Sequence, residues 1–187
     1  MYLPKHFEQP DAMALAGLIA AHPFGSLVLK GPQGLDANHL PFYLDEEDGR
    51  RRLVAHVARA NPLWQQAKDG DEALVIFRAE HAYVSPNWYP SKHEAHKQVP
   101  TWNYVAIEAE GPLEQLSRDA LIAQIDALGD EHEARLAPKP MWTRDKVPEA
   151  AYERMLAAIE GYVIRVEAWR GTAKLSQNKP VVDRAGV

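Results

Sequence analysis

The alternation of hydrophobic and polar residues predicts a succession of short β-strands through the first 116 residues. Turn residues separate several of these strands, and a further strand or hairpin, turning near Gly171, lies at 162–177. The other candidate strands lie at 25–30, 35–44, 51–57, 72–80 and 101–116. Helices of 10–15 residues do not alternate regularly with these strands, so the pattern disfavours a doubly wound parallel sheet.

Helical spacing interrupts the strand pattern in four places. An Ala-rich run after Pro10 and Asp11 predicts a helix at about 10–21, and Asn61-Pro62 begins a short helix that ends near residue 68. Two amphipathic helices follow late in the chain, at 117–136 with Ser117 as the N-cap candidate, and at 149–159. We therefore expect a mainly β fold (β+α) in one domain, residues 1–187, with barrel strands at about 25–116 and 160–177 and a helical insertion at about 117–159.

Composition and charge narrow the classes of function. The chain has no cysteine, which removes disulfides, thiolate metal sites and cysteine nucleophiles. Its first residues lack an apolar signal region and no apolar run is long enough to span a membrane, so we expect a cytoplasmic protein. The net charge is −5, and the basic run 50–52 directly follows an acidic run at 45–48, as in a solvated hairpin with compensated charge. Direct DNA binding through phosphates is therefore not expected.

Residues 82–104 form a segment rich in aromatic rings, prolines, hydroxyls and amides that predicts mostly loop. Rings supply apolar contact area with few torsions to freeze, and nearby polar groups fix orientation, so the segment suits a flat, phosphorylated ligand. Ser85, Ser91 and Lys92 could hold the phosphate. The rings that could face the ligand, or simply fill the mouth of a barrel, are Trp88, Tyr89, Trp102 and Tyr104.

The histidines give weaker signals. His93 and His96 are three residues apart in a proline-flanked loop, whereas a zincin helix places its histidines four apart, so we predict no metal site. His39 is interpreted as a hydrogen-bonded core residue on an inner strand. His56 and Arg59 precede the helix that begins at Asn61-Pro62, where an anion could bind, although Asn61 could equally cap that helix while Arg59 faces water.

A second polar cluster closes the last strand. Lys174, Ser176, Gln177 and Asn178 are rich in hydrogen-bond donors, which suits flavin carbonyls and ring nitrogens but also a dimer interface. No serine has a triad context, and no glycine pattern matches a P-loop or a dinucleotide-binding fingerprint.

Several segments together resemble the PaiB family, the FMN-binding negative transcriptional regulators. They occur in the family's order from Met1 to Asn178 and read MYLPKHF, NHLPF, HVARANPLW, AYVSPNWYPSK, VPTWNY and KLSQN. The resemblance implies an FMN-binding split β-barrel with peripheral helices, similar to pyridoxamine-phosphate oxidase. It also implies a homodimer with FMN in a groove at the subunit interface.

The same resemblance assigns residues to the cofactor. Arg59 and Asn61, from the HVARANPLW motif, would lie near the phosphate. The KLSQN motif of the partner subunit would contribute Lys174, Ser176 and Gln177. The flavin groove itself would contain Ser85, Trp88, Tyr89, Lys92, Trp102 and Asn103. One departure is Ala79-Glu80-His81, where the family often has Gly-Pro; an acid there predicts weaker binding of an anionic cofactor, and FMN absent from this member or lost on purification.

Three functions follow from these expectations. The first is regulation of the PaiB type that acts indirectly, through flavin, a ligand or a partner protein, because the charge and the lack of a helix-turn-helix signature disfavour direct operator binding. The alternative is a flavin-dependent oxidoreductase, a reductase or an oxidase, acting on a small molecule, which the implied fold favours by analogy. The third is haem binding, suggested by eight histidines without persuasive spacing.

Overall fold

A computed structural model describes residues 2–32, 34–92 and 98–187. The chain divides into two compact units by its internal contacts. Unit 1 comprises Met1–His22, Ile76–Glu108 and Trp169–Val187, and unit 2 comprises Pro23–Val75 and Ala109–Ala168. The predicted single domain stays a prediction.

The described chain contains one nine-stranded sheet whose paired strands are antiparallel wherever their register is defined. The strands are β1 (Glu8–Gln9), β2 (Phe24–Gly31), β3 (Gly34–Pro41), β4 (Tyr43–Glu47), β5 (Arg50–Ala58), β6 (Glu72–Val84), β7 (Thr101–Gln115), β8 (Ile159–Arg165) and β9 (Ala168–Lys174). The sheet order is β3-β2-β6-β7-β8-β5-β4, and β9 pairs with both β7 and β1. The mainly β fold is thereby confirmed.

Each of the four predicted helices is present, and the structure adds a short one at Val181–Arg184 that the sequence pattern did not predict. Asp11 accepts hydrogen bonds from the backbone N–H groups of Met13 and Ala14, so the first helix begins at residue 12 rather than 10. Ser117 caps the long helix as predicted, accepting from the Ala120 N–H. Within the described residues, no helix is both long and apolar enough to cross a membrane. The α-helices are α1 (Ala12–Ala21), α2 (Leu63–Gln66), α3 (Arg118–Ala134), α4 (Glu149–Leu156) and α5 (Val181–Arg184), with 3₁₀ turns at Lys5–Phe7, Pro86–Trp88 and Arg144–Lys146.

The acidic and basic runs form the β4–β5 hairpin of unit 2. Asp45 lies opposite Arg52 in the register, and Arg52 makes ion pairs with both Asp45 and Glu47. The turn residues Asp48 and Gly49 have φ of 51° and 74°, the left-handed conformation of a tight two-residue hairpin. The predicted compensated hairpin is confirmed.

Two local predictions are wrong. The break between the last two strands lies at residues 166–167, and Gly171 lies inside β9, where a Cβ would meet Leu15 at 2.3 Å and the Gln9 carbonyl oxygen at 2.8 Å. The glycine therefore marks a close approach, not a turn. His39 is exposed on β3, at the end of the sheet order, with Nδ1 2.9 Å from the Ser26 hydroxyl, so it is not a core histidine.

Candidate functional site

An open pocket of about 300 Å³ in unit 1 carries the chemistry expected of a ligand site, and we call it the Trp102 pocket. Trp102 on β7 is 48% exposed, an unusual state for so large a ring. Its indole stacks on His81 with ring centroids 6.0 Å apart and meets the edge of Tyr83 at 6.2 Å. The pocket is lined by Arg78, His81, Trp102, Tyr104 and Val105.

The burial pattern of β6 explains why this surface is open. Ala73, Val75 and Phe77 alternate as buried residues, but every residue from 80 to 83 is exposed before Val84 turns inward again. A strand with both faces exposed has no core to pack against and offers a surface for binding. The segment predicted as mostly loop is thus partly strand, because β6 extends to Val84 and β7 begins at Thr101.

Lys174 and Ser176 hold the beginning of β7 in place. The Lys174 ammonium donates to the Thr101 hydroxyl at 2.7 Å and to the Trp102 carbonyl at 2.9 Å. The Ser176 hydroxyl lies 3.0 Å from the Asn103 amide nitrogen and 3.2 Å from its oxygen. Ser176 is buried with φ of 63°, and Gln177 stabilises this turn by accepting from the Leu175 N–H and donating to the Ala173 carbonyl. The two motifs of one chain therefore lie together; a contribution from a partner subunit stays a prediction.

Among the described residues that line the Trp102 pocket, Arg78 carries the one fixed charge, and it is positive. Arg78 is exposed and makes no ion pair with any residue that the structure describes. Glu80, the residue that departs from the family motif, has a side chain that is 79% exposed and lies 3.6 Å from His22 Nε2. An exposed guanidinium beside exposed rings is the arrangement that binds a planar anion. Arg78, His81 and Tyr83 were missed from the sequence, although the end of the apolar run 73–77 was the available signal.

The SPNWYPSK motif has mostly structural contacts. The Ser85 hydroxyl caps the Pro86–Trp88 turn by accepting from the Asn87 N–H at 3.2 Å. Lys92 donates to the Asn87 side-chain oxygen. Tyr89 is fully buried, with the Lys179 ammonium 4.9 Å from its ring centroid, and Trp88 stays half exposed. Trp88 is the exposed ring of this motif, and Lys92 is its half-buried cation.

A buried carboxylate that no sequence motif singled out ties this loop to the helix at Val181–Arg184. Asp183 is fully buried and accepts from the Ser91 N–H at 3.0 Å and from the Ser91 hydroxyl at 2.6 Å. Gln98 donates to the Ser91 hydroxyl at 2.9 Å and accepts from Lys179 at 2.7 Å. The signal for this helix was Pro180 followed by an acid in the first turn, but the family motifs end at Asn178.

Arg59 and Asn61 lie in unit 2, and both side chains already have partners. The Arg59 Nε donates to Glu160 at 2.6 Å, and its guanidinium lies 5.8 Å from the Trp64 ring centroid. Asn61 accepts from the Leu63 N–H at 2.9 Å, which is the capping role left open by the sequence, and donates to Asn38. His56 contacts Gln124 at 3.1 Å. His93 and His96 lie outside the described residues, and the described ones include no cluster of three potential metal ligands among His, Cys, Asp and Glu.

A comparison with protein families identifies the family of this chain. The family described as "Putative FMN-binding domain" matches residues 1–168. The chain belongs to the PaiB family of FMN-binding split-barrel proteins. A PaiB relative from Bacillus subtilis (strain 168), "Protease synthase and sporulation protein PAI 2", is 30% identical over all of this chain and 87% of its own length. The uncharacterized protein YKL070W of Saccharomyces cerevisiae is 30% identical over 79% of this chain and 98% of its own.

Solved structures confirm the split-barrel fold of this PaiB-family chain. The FAD and haem binding protein of Mycobacterium smegmatis superposes with a TM-score of 0.61 at 20% identity, covering 89% of this chain and 73% of its own. The conserved hypothetical protein Rv2991 of Mycobacterium tuberculosis gives 0.61 at 11% identity, covering 96% and 94%. At such identities the likeness concerns the fold alone.

Proposed function

We propose that this protein binds FMN in the Trp102 pocket and that the bound flavin is the signal through which it regulates indirectly. The observation that carries the proposal is the half-exposed Trp102, which stacks on His81 in the pocket that Arg78 also lines. Arg78 makes no ion pair with any described residue. A flat isoalloxazine ring suits the aromatic surface, and a phosphate suits the guanidinium. A family described by FMN binding, which matches 168 residues of the chain, supports the same assignment.

The donor groups near Trp102 fit a flavin. An ammonium has three N–H donors, and Lys174 uses two of them on Thr101 and Trp102, which leaves one for an acceptor such as a ring carbonyl. Flavin, when bound, supplies reversible one- and two-electron redox chemistry. The chain's own part is to hold the ring against Trp102 and to orient its edge with Lys174 and Asn103.

We leave four motif residues out of the proposed flavin contacts. Ser85 caps a turn, Tyr89 is core and Asn61 accepts from the Leu63 N–H. Arg59 lies in unit 2, whereas every described residue that lines the Trp102 pocket lies in unit 1. Trp88 and Lys92 stay candidates for contact with the ring and the phosphate. A homodimer with the flavin at the subunit interface remains part of the proposal, and size-exclusion chromatography with light scattering tests it through the particle mass.

The test of FMN binding is a titration followed by flavin fluorescence with two matched variants. Trp102→Ala removes the proposed stacking surface, while Trp142→Ala removes an equally exposed indole (49%) in unit 2. We expect the first to weaken binding at least tenfold, or about 1.4 kcal/mol, and the second to leave it unchanged. Equal affinity for both variants would show that the ring is not bound at Trp102.

Indirect regulation is tested by DNA binding. The net charge of −5 leaves little driving force for phosphate contacts, so we expect no retardation of promoter fragments at physiological salt, with or without FMN. The name of the B. subtilis relative links that protein to protease synthesis and sporulation, which supports a regulatory role. Such a role does not require direct contact with DNA. Sequence-specific retardation at nanomolar protein would overturn the indirect route.

An oxidoreductase is the second candidate, favoured by one observation: His81 places a titratable imidazole in the pocket itself. Protein loaded with FMN would then oxidise NADH or NADPH in the presence of an acceptor, and His81→Gln would slow turnover more than it weakens FMN binding. The absence of turnover with common donors and acceptors would exclude this candidate.

A further inference from the structure

Unit 2 contains a separate pocket of about 340 Å³, a size within the range of small-molecule sites. Two arginines and two glutamates stand around an apolar floor, and we call it the Arg–Glu pocket. Its charged residues are Arg59, Arg118, Glu153 and Glu160. Of the residues that the family resemblance assigns to FMN, Arg59 belongs to this lining, and none of the flavin contacts proposed for the Trp102 pocket does.

The buried half of the charge arrangement is fixed. Glu160 has a side chain that is only 10% exposed, and its two oxygens accept from Arg59 and, at 2.9 Å, from Gln115. Arg59 uses its Nε and one terminal nitrogen on Glu160. No described residue accepts from the other terminal nitrogen, whose N–H donors can therefore serve a ligand. Arg59 is thus a pre-oriented cation whose side chain is 53% exposed.

The exposed half is exchangeable. Arg118 donates through one terminal nitrogen to both carboxylate oxygens of Glu153, at 2.5 and 2.6 Å. Both side chains are about half exposed, and an ion pair of this kind contributes little net stability. A ligand that offers one charge to each partner therefore replaces the pair at small cost.

The floor of the pocket is apolar and closely packed. Leu121 and Leu156 are buried, and Leu116 and Ile159 complete the surface. Gly161 lies beneath it, where a Cβ would come within 2.9 Å of both Leu116 and Leu121. The floor accordingly suits an aliphatic or aromatic side chain rather than a polar one.

We propose that the Arg–Glu pocket binds a free α-amino acid with an apolar side chain. The carboxylate of the ligand takes the open N–H groups of Arg59 and Arg118, the ammonium takes Glu153, and the side chain covers the leucines. Two positive and two negative groups cancel in this lining, so a zwitterion leaves the pocket neutral, whereas a simple anion or cation leaves a net charge in a partly desolvated site. The amino acid would then be a second regulatory ligand of this protein, and its binding would not depend on flavin.

The test is calorimetric titration of the purified protein with L-leucine, 4-methylpentanoate and 3-methylbutylamine. The three compounds share the same branched hydrocarbon chain. Leucine carries both charges, 4-methylpentanoate carries only the carboxylate, and 3-methylbutylamine carries only the ammonium. Leucine is expected to bind at least tenfold more tightly than either analogue. Arg118→Gln and Glu153→Gln should each weaken leucine binding at least tenfold. The control Arg144→Gln, which disrupts the exposed Arg144–Asp126 pair in the same unit, should not.

Two results would overturn the proposal: no heat of binding with 10 mM leucine, or equal affinity for leucine and for either analogue. Unchanged leucine binding in both pocket variants would also overturn it by placing the ligand elsewhere. Because Arg118 and Glu153 are surface residues, their variants should keep the wild-type melting temperature, which checks the fold. Loss of FMN binding would leave this outcome untouched, so the two proposals fail separately.

Discussion

The Trp102 pocket and the Arg–Glu pocket are of similar size, about 300 and 340 Å³, but their charges are balanced differently. Among the described residues that line the first, Arg78 and His81 face no acid. In the second, each arginine lies beside a glutamate and the four charges cancel. Volume therefore cannot separate the two ligand classes, whereas charge balance can: an unbalanced lining favours an anion and a balanced one favours a zwitterion.

The largest expected difference concerns folding stability. Arg59→Ala would leave the buried Glu160 carboxylate without its cation, so we expect a loss of about 1–3 kcal/mol in the free energy of unfolding. Arg78→Ala removes a cation with no described ion pair and should change stability by no more than about 0.5 kcal/mol. Urea unfolding of both variants measures this, and equal losses would contradict the distinction between a fixed and a free cation.

The alkaline stability of unit 2 should depend on Tyr162. Burial, followed by the charge of Glu160, raises the pKa of Tyr162 from 10.0 to about 12. Between these values the unfolded chain releases the proton while the folded chain keeps it, so this contribution is complete below pH 10 and is lost as the pH rises towards 12. From pH 9 to 11 the free energy of unfolding of the wild type should fall by about 1.4 kcal/mol more than that of Tyr162→Phe. Urea unfolding at the two pH values measures this difference. An equal fall in the two proteins would place Tyr162 in a solvated environment.

Lys174→Met should weaken FMN and riboflavin binding by the same factor, about fivefold, or about 1 kcal/mol. The reason is that Lys174 holds the Trp102 backbone, and in the proposed site it donates to the ring edge rather than to the phosphate. Fluorescence titrations with both flavins measure the ratio. A loss confined to FMN would instead make Lys174 the phosphate-binding cation and reduce the importance of Arg78.

The smallest expected difference between the two pockets is in how their ligand affinities respond to salt. Raising the ionic strength from 0.05 to 0.5 M screens an anion from exposed cations, so FMN affinity should fall about threefold. A zwitterion in a balanced pocket should lose less than about twofold under the same change. Opposite salt responses would contradict the assignment of ligand charge to the two pockets.

Much of the fold could be predicted because the sequence pattern and the local physics agree. Asp11 and Ser117 mark helix starts through their own side-chain oxygens, and the acidic and basic runs of β4 and β5 pair residue by residue. Gly171 misled because a glycine required for close packing has the same sequence signature as one required for a turn. His39 misled because the alternation of a strand does not reveal which strand ends a sheet.

The site was less predictable, for a different reason. Motif resemblance nominated Trp102, Asn103, Lys174 and Ser176, which the fold brings together. Arg78 and His81 lie just before the motif, and only the loss of burial alternation on β6 exposes them. The Arg–Glu pocket depends on pairs separated by 35 and 101 positions in the chain, contacts that no local pattern contains.

The most direct test of the central claim is the preference for FMN over riboflavin, measured by calorimetry in the wild type, in Arg78→Gln and in the control Arg50→Gln, an exposed cation of unit 2. The two flavins differ only in the phosphate. We predict that the wild type and the control prefer FMN at least tenfold, and that this ratio falls to about one in Arg78→Gln, while riboflavin affinity stays constant. An unchanged preference in Arg78→Gln would contradict the assignment of the phosphate, and with it the FMN site, to the Trp102 pocket.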